Sequence, residues 1–91
     1  MQQDENKIKI FNKVVGDLVK EIRLKTSSGS LNQFAREYDF DRGNFSKLER
    51  GIISCRLITA WKFAEASGIK FSEFAKMIED KLEKDFKLIE E

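Results

Sequence analysis

Residues 41–50 gather the side chains in this chain best suited to reading a polar molecular edge: Arg42, Asn44 and Lys47, with Gly43 among them. A guanidinium donates a fork that matches O6 and N7 of guanine, a carboxamide both donates and accepts in the pattern of adenine N6 and N7, and an ammonium reaches guanine or a phosphate. Gly43 adds nothing of its own but lets the backbone come close. If the segment is helical, its spacing sends Phe45 and Leu48 inward, leaving Arg42, Gly43, Asn44, Ser46, Lys47 and Arg50 on the outer surface. Nearly all of these are donors or small residues. A helix is narrow enough to enter a groove roughly 12 Å wide, which is the size of the duplex major groove.

Other chemistry finds little support. The 91 residues contain no histidine and one cysteine, Cys55. The commonest general base and metal ligand is therefore missing, and no intrachain disulfide can form. There is no glycine-rich phosphate loop and no ligand set with metal spacing, so no enzyme, no metal and no cofactor is expected. Cys55 reads as an inert loop residue in a reducing compartment. No stretch approaches the roughly 18 apolar residues of a membrane span, and the polar opening lacks the features of a signal peptide; a cytoplasmic protein is expected. The net charge is only +1, but it is unevenly spread: residues 1–70 hold 13 Lys and Arg against 9 Asp and Glu, and residues 71–91 hold 4 against 7. The body is basic and the tail acidic, as expected if only the body faces phosphates.

The elements that must position the strip are read from periodicity and breakers. Phe11, Val15, Leu18 and Ile22 share one face of a first helix over 7–25, ended by residues 26–29. Ser30 caps a second helix with capping-box spacing to Gln33, and Leu31, Phe34, Ala35 and Tyr38 supply its buried side. After the short connection Asp39-Phe40, Asp41 caps the third helix, which Gly51 closes. A loop leads to a fourth helix with the stripe Leu57, Ala60, Trp61 and Ala64, ending at Gly68. Trp61 and Phe63 read as core rather than as a stacking platform for bases. Phe71, Phe74, Ala75, Ile78, Leu82, Phe86 and Ile89 keep a three-or-four spacing, which predicts a fifth helix running almost to the C-terminus. The expected division is a polar tail at 1–6, a domain at 7–75 and a helical extension at 76–91. A helix reaching beyond a small core needs cover, and pairing of two chains through Ile78, Leu82, Phe86 and Ile89 is the simplest source.

The runs Ser30-Leu31-Asn32-Gln33-Phe34-Ala35 and Asp41-Arg42-Gly43-Asn44-Phe45-Ser46-Lys47-Leu48-Glu49-Arg50-Gly51 resemble the Cro and phage-repressor type (XRE-like) helix-turn-helix family. The likeness continues through residues 57–66, Gly68-Ile69 and Ser72-Glu73-Phe74, covering roughly residues 16–75, with Ser46 to Gly51 its most specific part. Leu31 stands where many members carry Gln, and Cys55 where proline is common. The resemblance implies an all-α, five-helix domain that binds operator DNA as a homodimer and regulates transcription, often as a repressor. It implies that Arg42, Gly43, Asn44 and Lys47 read bases. Ser30, Gln33, Ser46, Arg50 and Arg56 would then lie against the sugar-phosphate backbone, and Glu49 would be structural. The competing expectation is a protein-interaction module, an antitoxin-like partner or adaptor that uses its acidic end as the contact.

Overall fold

Apolar side chains returning every three or four residues bury one stripe per helix, and five such stripes meet in one core. The computed structural model describes residues 2–3, 5–27 and 29–90. Its elements run β1 (Gln2–Gln3), α1 (Glu5–Thr26), α2 (Leu31–Glu37), α3 (Arg42–Glu49), α4 (Leu57–Ala66), α5 (Phe71–Lys81) and β2 (Ile89–Glu90). The fold is all-α; the two strands are a single short antiparallel pairing, Gln2 with Glu90 and Gln3 with Ile89. Ser28, within the expected helix-ending run, lies outside the described residues, as do Met1, Asp4 and Glu91.

α1 lies across α3 and α5, α2 packs on α3, and α4 packs on α5. Val15, Leu18 and Val19 of α1 meet Phe34, Phe45, Leu48, Phe63, Ala64 and Phe74 in the core. The phenylalanines form a connected chain: ring centroids are 5.5 Å apart for Phe34 and Phe45, 6.1 Å for Phe45 and Phe63, and 5.4 Å for Phe63 and Phe74. Such tilted pairs add to the burial of their area. Where α1 crosses the end of α3 the backbones nearly touch, and a Cβ on Gly16 would collide with the carbonyl oxygens of Leu48 and Glu49. Gly16 is therefore the notch into which α3 fits.

Two features depart from the expected architecture. The fifth helix does not run on. It stops at Lys81, and Leu82 is extended, with ψ 154°. A turn closed by Phe86 N–H donating to the Glu83 carbonyl (3.0 Å) brings Phe86 back onto Phe11, 6.1 Å between centroids. A continued helix would have left Leu82, Phe86 and Ile89 facing water, whereas the reversal gives Phe86 an aromatic partner on α1. Lys81 donates to Glu21 at 3.3 Å and, with Lys25, holds that carboxyl below its ordinary range, tying the end of α5 to α1.

The second departure is the rotation of α4. Leu57 and Trp61, expected to face inward, are exposed, while Phe63 is buried. At about 100° per residue the true inward stripe is Ala60, Phe63 and Ala64, turned by about 60° from the expected one. The ring contacts of Phe63 with Phe34, Phe45 and Phe74, not the count of apolar positions, go with this orientation.

Candidate nucleic-acid interface

α3 owes its start to Asp41, whose Oδ1 accepts from the Asn44 N–H at 2.8 Å. The preceding turn is unusual in that Asp39, not a glycine, takes the left-handed conformation, with φ 59°. Short polar side chains tolerate that region better than most. It lets Phe40 N–H donate to the Ala35 carbonyl at 2.8 Å, which closes α2. Lys62 of α4 then clamps the turn: its Nζ donates to the Asp39 carbonyl at 2.5 Å and sits 4.7 Å from the Phe40 ring centroid. At the other end Gly51 closes α3 with φ 73°. Asp41→Ala should lower stability by about 1 kcal/mol through loss of the cap, read as an earlier urea midpoint with the slope unchanged.

Between these ends the side chains sort cleanly. Phe45, Leu48 and Glu49 are buried; Arg42, Gly43, Asn44, Lys47 and Arg50 are exposed and Ser46 is half-buried. Helical spacing puts Gly43, Ser46, Lys47 and Arg50 along the middle of the outer face, with Arg42 and Asn44 on its two flanks. Asn44 borders a cleft shared with Ser54, Arg56, Ile58 and Thr59. Ser46 and Arg50 border another, with Lys13 and Lys20 of α1. Among the described residues Arg42, Lys47 and Arg56 form no ion pair, whereas Lys25, Lys76 and Lys81, away from this face, are paired with Glu21 or Asp80. Arg42, Lys47 and Arg56 are thus available to an outside anion, whereas Lys13 in the cleft beside Arg50 is paired with Asp17 at 2.7 Å.

No family model, no curated protein and no solved structure matches this chain. The assignment of the surface therefore rests on its own geometry.

What holds α3 in place is a buried ion pair that periodicity did not single out. Arg23 of α1 and Glu49 of α3 are buried together, with Nε to Oε2 at 2.5 Å and a second bond from the other branch of the fork to Oε1 at 3.1 Å. Bidentate pairing of this kind fixes direction as well as distance. The signal was present: Arg23 continues the Val15, Leu18, Val19 face of α1, and Glu49 follows Phe45 and Leu48 by four and one on α3.

The remaining expected site residues are scattered around this strip. Ser30 is exposed at the N-cap of α2 and its Oγ accepts from the Gln33 N–H at 3.2 Å; Gln33 is exposed beside it. Arg56 is exposed at the N-cap of α4, where no side chain caps the helix. Ile78, Leu82, Phe86 and Ile89 do not form one helical face: Ile78 is packed against the core, Leu82 and Phe86 are half-buried, and Ile89 lies in β2. Among the described residues no group of His, Cys, Asp or Glu could hold a metal ion, and no helix is long and apolar enough to cross a membrane.

Burial pushes the Cys55 thiol up to about 11 from its ordinary 9.0. Alkylation of the folded chain at pH 8 should therefore be much slower than that of the urea-unfolded chain, since the thiolate is the nucleophile. Because the folded state binds this proton more tightly, its contribution to stability is complete below pH 9.0 and fades as pH rises towards 11. A pH series of iodoacetamide labelling checks the window.

Proposed function

We propose that this chain is a sequence-specific double-stranded DNA-binding regulator of transcription that reads the major groove with α3 and acts as a homodimer in the cytoplasm. The observation that carries this is the outward strip on α3, with Arg42, Asn44 and Lys47 exposed and the two cations among them in no ion pair among the described residues. In this reading Arg42, Asn44 and Lys47 contact base edges, Gly43 allows close approach, and Ser30, Gln33, Ser46, Arg50 and Arg56 face phosphates. Lys20, beside Arg50 in the same cleft, joins that second group.

The test is selection of bound fragments from random double-stranded DNA, followed by affinity measurements on the selected site and its base substitutions. Arg42→Ala should cost about 1–3 kcal/mol and relax preference at one base position, because a bidentate base contact is lost. Arg50→Ala should weaken all sequences almost equally and make the salt slope shallower by about one unit, the signature of one phosphate contact. Failure to enrich any sequence, with a flat salt profile, would defeat the reading.

A further inference from the structure

Arg23 fixes the C-terminal end of α3 through Glu49. The N-terminal end begins in a turn that is poorly held by its own residues. Asp39 stands there at φ 59°, a conformation that an L residue leaves unless its surroundings impose it. Asp41, two residues on, must arrive in register if its carboxylate is to meet the Asn44 N–H. Phe40 between them is the wedge that separates α2 from α3. Its ring stacks on Phe34 at 6.1 Å, with 9° between the planes, and meets Phe45 at 4.9 Å.

A single side chain of α4 touches both residues of this turn. Lys62, 23 residues on from Asp39, donates from Nζ to the Asp39 carbonyl at 2.5 Å, and the same nitrogen lies 4.7 Å from the Phe40 ring centroid. The hydrogen bond fixes the peptide that joins the left-handed residue to Phe40, and the cation over the ring fixes the wedge. Lys62 also lines the cleft that it shares with Asn44 and Arg56, so by position alone it would be counted among the cations that face phosphates. Its ammonium is instead committed to the turn, whereas Arg42, Lys47 and Arg56 form no ion pair among the described residues.

We infer that Lys62 is a positioning residue: it sets the direction of α3, and so the placement of Arg42 and Asn44, without touching what α3 reads. α3 is then held at both ends by cations from other helices, Arg23 from α1 and Lys62 from α4. The two holds differ in kind. Arg23 closes a buried ion pair, whereas Lys62 binds a backbone carbonyl and an aromatic face. Removal of its charge strands no buried carboxylate, so it loosens the turn without unfolding the chain. The consequence for base selection rests on the proposed DNA binding; the hold on the turn does not.

The test uses the full chain, with and without duplex. Lys62→Met keeps the aliphatic stem and removes the ammonium. In the DNA-free chain, amide exchange followed by NMR should speed at least about tenfold at Phe40 and Asn44, whose N–H groups donate to the Ala35 carbonyl and to Asp41 Oδ1. At Phe74 in α5, whose N–H donates to the Lys70 carbonyl, it should change by less than about twofold. Lys62→Arg, which keeps a donor and a cation for the ring, should restore slow exchange. Equal acceleration at all three amides would make Lys62 a general stabiliser, and no acceleration at Phe40 would make its bond idle; either overturns the inference. On the selected duplex, Lys62→Met should lower the preference for the site over its base substitutions by about tenfold and leave the salt slope unchanged. A slope shallower by about one unit would show that Lys62 neutralises a phosphate. That result, or undiminished preference, overturns the positioning role and leaves the DNA reading standing. If no duplex is enriched, the DNA reading falls, and the exchange measurement still decides whether Lys62 holds the turn.

Discussion

Glu49→Ala is expected to lower the stability of the fold by about 3–5 kcal/mol, because removal of the carboxylate leaves the Arg23 guanidinium buried with no counter-charge. For a domain whose whole stability is about 5–15 kcal/mol, that is close to unfolding, and Tm should fall by some tens of degrees at about 4–8 °C per kcal/mol. The informative comparison is Arg23→Met with Glu49→Met, which removes both charges. Replacement of a buried pair by apolar groups of similar volume is often neutral or stabilising, so the double variant should recover most of the loss. Urea unfolding followed by circular dichroism distinguishes the cases. A loss under about 1 kcal/mol for Glu49→Ala would mean that water reaches the pair, contrary to the burial of both side chains. If the proposed DNA binding holds, affinity adds a second readout: the double variant should fold well yet bind less selectively, since a directional fork no longer sets the angle of α3 against α1.

Phe45→Ala should cost a comparable 3–5 kcal/mol. The ring is almost fully buried and touches Phe34, Phe40 and Phe63, with centroids 5.5, 4.9 and 6.1 Å away. Truncation would leave a cavity directly beneath the strip that carries Asn44 and Ser46. Phe45→Leu, which keeps most of the volume, should cost about 1–2 kcal/mol. The two variants should therefore separate in calorimetric Tm by a wide margin. Near-equality would show that the aromatic chain does not bear on α3. Since the altered residue never touches solvent, any change in base preference would report the orientation of α3 rather than a lost contact.

The features legible in the sequence were those fixed by local chemistry. Ser30 and Asp41 accept the N–H groups three residues on, and Gly51 and Gly68 take positive φ where helices close. A cap needs only its own turn, so a short window of sequence specifies it. The inward and outward sides of α3 were legible for the same reason, with Phe45 and Leu48 beneath and charged or small residues above.

What was not legible was decided at a distance. α4 offers apolar residues around most of its circumference, so periodicity alone could not say whether Trp61 or Phe63 faces the core; contact of Phe63 with Phe34, Phe45 and Phe74 decides it. The end of α5 has neither glycine nor proline to announce a stop, and the three-or-four spacing of Leu82, Phe86 and Ile89 suits a returning chain as well as a helix. Phe11, far away in sequence, settles that choice. Glu49 was expected to be structural, but its partner Arg23 was missed because a charged residue on an inward position is normally discounted, unless its opposite is found on the facing helix.

The meeting of residues 2–3 with 89–90 makes the backbone almost a closed ring. The order in which the helices are strung is then partly separable from how they pack. A circularly permuted chain joined there and opened at Gly68, where the backbone is exposed and nothing stands within 4 Å of a would-be Cβ, would keep every helix intact. Opening at 38–41 would instead sever the turn that Lys62 clamps. The polypeptide can be recut at one pole of the molecule but not beside the exposed strip of α3.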